Sequence, residues 1–133
     1  MTEEPERRSR YGETLSESIA RWPGSLNDLP VGLWQIIFDG REGFGMDGEM
    51  LIDFIRRCIY ALVDAGAMPV RGAGIPGVAK WILQPQYGRT KQEIAEAVIA
   101  EWLRDGAPTP ETWTGLWFGL PRSYAPEQAA GAS

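Results

Sequence analysis

Four carboxylates, Asp39, Glu42, Asp47 and Glu49, crowd the glycine-rich stretch DGREGFGMDGE. Oxygens at that density suit two tasks, ligation of a hard cation or an acidic surface that docks a basic partner. The spacing argues against a calcium loop, because the third and fifth positions counted from Asp39 hold Arg41 and Gly43 where oxygen ligands belong. Acidic docking and simple solvated charge are the readings left. A glycosidase-type acid pair needs two carboxyls roughly 5 to 10 Å apart across a cleft, and no local spacing here sets one up. Lys80, beside Trp81, would serve Schiff-base chemistry if desolvated, although a strand lysine more commonly reaches outward to water. Cys58 sits between Ile55, Ile59 and Leu62 on an apolar stripe, which makes it a small core residue rather than a nucleophile. The run GAGIPG, Gly72 to Gly77, lacks the order of a phosphate-binding loop and has no helix directly after it, so it reads as a turn.

The chain has no histidine and one cysteine. Serine–histidine–aspartate triads, cysteine–histidine pairs, ordinary zinc sites and an internal disulfide all drop out. No cofactor or metal is expected. The remaining acid–base groups are carboxylates, tyrosines, arginines and the lysines Lys80 and Lys91.

What the sequence does concentrate is aromatic surface. The tripeptide Gly-Leu-Trp occurs twice, in LPVGLWQIIF (Leu29 to Phe38) and in TWTGLWFGLP (Thr112 to Pro121). If Trp113–Leu120 is extended, Trp113, Gly115, Trp117 and Gly119 share one face, while Thr114, Leu116, Phe118 and Leu120 share the other. The second is an ordinary core face. The first alternates large rings with bare backbone, and tryptophan is the residue most favoured as an interface anchor. Trp113 and Trp117 are therefore the candidate contact residues, with Asp39, Glu42, Asp47 and Glu49 as the acidic counterpart. The alternative is that both tryptophans are packed inside, as large aromatics prefer.

A chain of 133 residues with 44% apolar residues suffices for one domain with its own core. Thirteen basic against 18 acidic residues give a net charge of −5, a sign that suits a basic protein partner and disfavours nucleic acid. No apolar run approaches the roughly 20 residues of a membrane span, and the mixed-charge start MTEEPERRSR does not read as a secretory signal. A cytoplasmic bacterial-type protein is the default expectation.

Residues 1–10 and 125–133 read as mobile tails around a single domain over 11–124. Thr14 and Glu17 have capping-box spacing ahead of a helix that Pro23-Gly24 should stop. Residues 29–38 fit either a helix with Pro30 in its first turn or a buried strand, with helix preferred. Residues 39–48 read as a loop. A long amphipathic helix over 49–65 ends at Gly66, and a second, capped by Thr90 and Glu93, runs over 90–105. Between them, 67–71 and 78–84 suggest a hairpin, with Pro69 placing its strand at an edge. Residues 109–111 fit a single helical turn before the extended C-terminal stretch.

The fold expected is α+β: a mainly helical domain of four to five helices with a small β-hairpin and a possible extra C-terminal strand. By composition alone the chain resembles bacterial immunity and antitoxin proteins that plug a basic toxin. That resemblance implies a non-enzymatic protein-binding inhibitor. Two other readings are a winged-helix-like nucleic-acid binder using Arg56, Arg57, Arg71 and Lys80, and a small carboxylate-dependent enzyme. Against the winged helix, the third helix opens with Asp47, Gly48 and Glu49, not with groove-reaching basic or amide groups.

Overall fold

The computed structural model describes residues 8–27, 29–72, 81–109 and 115–120. Among these residues it is the expected α+β arrangement, four α-helices with a four-stranded antiparallel sheet. Helix α1, Leu15–Ser25, opens with the anticipated capping box: the Glu17 amide donates to Thr14 Oγ1 at 3.1 Å, and the Thr14 amide donates to Glu17 Oε1 at 2.8 Å. Those bonds hold the Glu17 carboxyl below its ordinary range. The helix continues past Pro23 to Ser25. Its last turn closes through the Leu26 amide on the Pro23 carbonyl at 3.2 Å, a bond in which proline's missing N–H plays no part.

Residues 29–38 turn out to hold both alternatives in succession. Strand β1 is Val31–Gly32 and helix α2 is Leu33–Phe38. The helix begins after Gly32, whose amide donates to Gln35 Oε1 at 2.7 Å, and not at the Asn27–Pro30 turn. The expected loop after it is half helical, because Asp39–Gly43 continues α2 as a π-turn. That wide turn puts Gly40 against helix α3 so closely that a β-carbon there would lie 2.6 Å from Leu51 Cδ1 and 3.0 Å from Phe54 Cδ2. A larger residue there would have to push the buried Leu51 and Phe54 side chains aside.

Helices α3, Gly48–Asp64, and α4, Lys91–Arg104, match their sequence patterns to within a residue or so. Leu51, Phe54, Ile55, Cys58, Ile59 and Leu62 of α3 meet Ile94, Ala95, Val98 and Ile99 of α4 in one core cluster. Cys58 is fully buried there, and burial pushes its thiol far above its ordinary value, as a core role requires. At the start of α4 the Glu93 carboxylate accepts from the Arg89 and Thr90 amides, at 3.0 and 3.1 Å, which lowers its pKa.

The sheet order is β1-β4-β2-β3, with β2 at Met68–Gly72, β3 at Trp81–Leu83 and β4 at Trp117–Gly119. The C-terminal strand is thus the one that joins β1 to β2. It also moves Pro69 off the expected edge, since β2 is an interior strand in which Pro69 faces Phe118 of β4. The proline is tolerated because its carbonyl still accepts from the Gln84 amide at 2.9 Å, just beyond the end of β3. The donor it lacks would face that end of the ladder and not its centre.

Residues 8–10, expected within a mobile tail, are docked. Ser9 is buried, Arg8 bridges Thr14, and the Arg10 amide donates to the Gly43 carbonyl at 2.8 Å. The expected turn over 109–111 falls mostly outside the described residues, as does residue 80. Among the described residues, no helix is long and apolar enough to cross a membrane.

Candidate functional site

The two Gly-Leu-Trp tripeptides lie against each other. Gly32 pairs with Trp117 across the β1–β4 ladder, and the Leu33 amide donates to the Leu116 carbonyl at 2.9 Å. Both leucines enter the core cluster. Both tryptophans go elsewhere, and their rings meet edge to face with centroids 6.4 Å apart.

Strand alternation explains the division. Phe118 and Val31 face each other in the ladder and belong to the core beneath helices α3 and α4. Trp117 points to the opposite face of the sheet, where Trp81 of β3 tilts over it at a centroid distance of 5.1 Å. Gly32 gives Trp34 its place. A β-carbon at that position would come within 2.5 Å of Trp34 Cδ1 and 3.2 Å of Trp117 Cε3.

These rings form one wall of a cleft of about 510 Å³. Helix α1 supplies Arg21, Trp22 and Ser25, and the segment before α2 supplies Leu29, Pro30 and Val31. Four of the chain's six tryptophans, Trp22, Trp34, Trp81 and Trp117, therefore converge from four different elements. A volume of this size, mostly apolar with a few polar groups, is typical of a ligand-binding recess.

A second recess of about 280 Å³ adjoins it, sharing Arg21, Trp22, Trp34 and Gln35 and adding Phe38 and Asp39. Asp39 is 6% exposed and accepts a hydrogen bond from the fully buried Ser18 hydroxyl. Arg21 lies between the two recesses. Its Nε and Nη2 donate to Glu13 at 2.9 and 3.1 Å, Nη2 stands 3.7 Å from Asp39 Oδ2, and the guanidinium covers the Trp22 ring at 4.5 Å.

The sequence-predicted contact residues separate into three groups. Trp117 lines the cleft but is 5% exposed, so it is a wall and not a protruding ridge. Asp39 reaches the adjoining recess as a buried network member. Glu42, Asp47 and Glu49 are exposed and line neither recess; Asp47 and Glu49 sit at the positive N-terminal end of α3. Trp113 lies outside the described residues. Sequence reasoning missed Arg21, Trp22, Ser25, Trp34, Gln35 and Trp81. The tripeptide repeat, read as two copies that pair, was a signal for Trp34 alone; Arg21, Trp22, Ser25, Gln35 and Trp81 lie outside both copies.

Of the basic residues suggested for nucleic-acid contact, Arg56 is held by Glu96 at 2.7 Å and by Asp53 at 3.8 Å. Arg71 donates to Tyr87 Oη at 2.9 Å and Glu101 at 3.3 Å. Burial, reinforced by Glu101, raises the Tyr87 phenol above its ordinary value. No group of three acidic or cysteine side chains fit to hold a metal ion occurs among the described residues.

Changing Gly32→Ala will displace the Trp34 indole from its seat on β1. The backbone there is ordinary for alanine, with φ of −80°, so the cost comes from crowding, about 1–3 kcal/mol. A urea melt will show that loss, and the near-ultraviolet circular dichroism of the tryptophans will change in the still-folded variant. An unaltered aromatic spectrum would mean that the ring does not depend on this glycine. In comparisons with protein-family models, curated proteins and solved structures, nothing matches the chain.

Proposed function

We propose that the protein is a non-enzymatic binding module that grips a partner protein through the tryptophan cleft, acting in the cytoplasm as an immunity- or antitoxin-type inhibitor. The convergence of four indoles on one recess carries this reading. Buried aromatic anchors and the pockets that take them dominate the energetics of protein association. The polar lining consists of Arg21, Ser25 and Gln35. Arg21 is neutralised by its carboxylate neighbours, and Gln35 Oε1 is engaged by the Gly32 amide, so these groups orient an occupant more readily than they transform one. The overall negative charge steers a basic partner toward the protein.

The test is affinity capture from the native host with the wild-type protein and with the double variant Trp34→Ala, Trp81→Ala. Both rings are partly exposed, so the variant should keep its fold, which a thermal melt will verify. A partner held by the wild type and lost by the variant supports the cleft as the contact. The same partner recovered equally by both removes the cleft from the proposal.

A further inference from the structure

We infer that the cleft is shaped to receive an arginine side chain of the partner, stacked among the indoles and drawn in by the Glu13–Arg21–Asp39 cluster. The inference rests on the binding-module reading and specifies what enters the site. Arg21 lines both recesses and is set against two carboxylates, Asp39 in the adjoining recess and Glu13 behind it on the surface, so these three side chains together carry one negative charge. Both carboxylates approach the same guanidinium, Glu13 at 2.9 Å and Asp39 at 3.7 Å, so Arg21 presents no uncompensated positive field. Indole faces add negative quadrupole, and Trp34, Trp81 and Trp117 line the recess beside the cluster. Apolar walls weaken solvent screening, which gives the residual charge more reach than it would have on an open surface.

The chain already shows the mode of recognition that is proposed. Arg21 lies over Trp22 at 4.5 Å while its nitrogens fork a carboxylate. An incoming guanidinium would repeat that arrangement on the next indoles, with its flat cation against a ring and its N–H groups toward Asp39. Arginine suits this better than lysine, because a planar, weakly hydrated cation stacks and donates in the same plane. An anionic occupant would meet the Asp39 carboxylate at the adjoining recess, while Arg21, which lines both recesses, is already paired with Glu13 and Asp39.

The experiment titrates the purified full chain with Nα-acetyl-arginine methylamide, its citrulline counterpart and its glutamate counterpart, reading intrinsic tryptophan fluorescence. The arginine probe should bind saturably and at least about fivefold more tightly than citrulline, which has nearly the same shape without the charge. Trp81→Leu, on the half-buried edge strand, should weaken it by about fivefold. Glu13→Gln, on the surface, removes the net negative charge without touching the cleft walls and should weaken it by about threefold, an effect that fades at high salt. Equal or tighter binding of the citrulline or glutamate probe would overturn the arginine assignment and leave the cleft as a binding site for another group. Absence of saturable binding by all three would also overturn it, and whether the cleft contacts a partner at all is then decided separately by the Trp34/Trp81 capture experiment.

Discussion

Replacing Phe118 with alanine will remove about 3–5 kcal/mol of stability, close to half of what a domain of this size ordinarily has. Phe118 is fully buried and stands on β4, opposite Val31 on one side and Pro69 on the other. Its ring thus reaches the core from the strand that holds both neighbours. Truncation leaves a cavity under β4, between the two strands that it joins. Denaturant unfolding will show a reduced midpoint with little change in slope. A loss under about 1 kcal/mol would mean that the core collapses to fill the space, and would contradict the packing described for this strand.

Asp39→Ala should be the costliest polar change, at about 2–3 kcal/mol. The Ser18 hydroxyl is fully buried and donates to this carboxylate, so it would be left without its acceptor. Gly43 packs against the same side chain, and a β-carbon there would lie 2.8 Å from Asp39 Oδ1. Arg21 is 43% exposed at its side chain and keeps Glu13, so its share of the loss is small. Adding Ser18→Ala to the variant should restore part of the stability, because removing both partners strands no polar group. Four proteins measured by urea unfolding close the cycle. Purely additive losses would show that the two side chains are not coupled.

The two long helices were legible in the sequence because both repeat apolar residues at the helical period and end at glycines, Gly66 and Gly106. The capping boxes at Thr14 and Thr90 were legible for the same local reason. Pro69 misled because strand position depends on partners far along the chain. The rule that sends proline to an edge holds for its missing donor and says nothing of where a short β3 stops. The stretch after Phe38 misled through its glycines, which signal a loop by composition. Here Gly40 instead serves the contact between the π-turn and α3. The cleft was only half legible. Trp117 and Asp39 were singled out, but Trp22, Trp34 and Trp81 stand on elements whose meeting is decided by strand pairing across a long separation, which no window of sequence displays.

The insertion of β4 between β1 and β2 has a consequence for biosynthesis. While the nascent chain is still emerging from the ribosome, Val31–Gly32 and Met68–Gly72 have exposed backbone edges and no strand to join them. The indole wall likewise cannot assemble before Trp117 has been translated. Closure of the sheet and creation of the cleft therefore both wait on the same C-terminal strand, whereas helices α3 and α4 precede it in the chain.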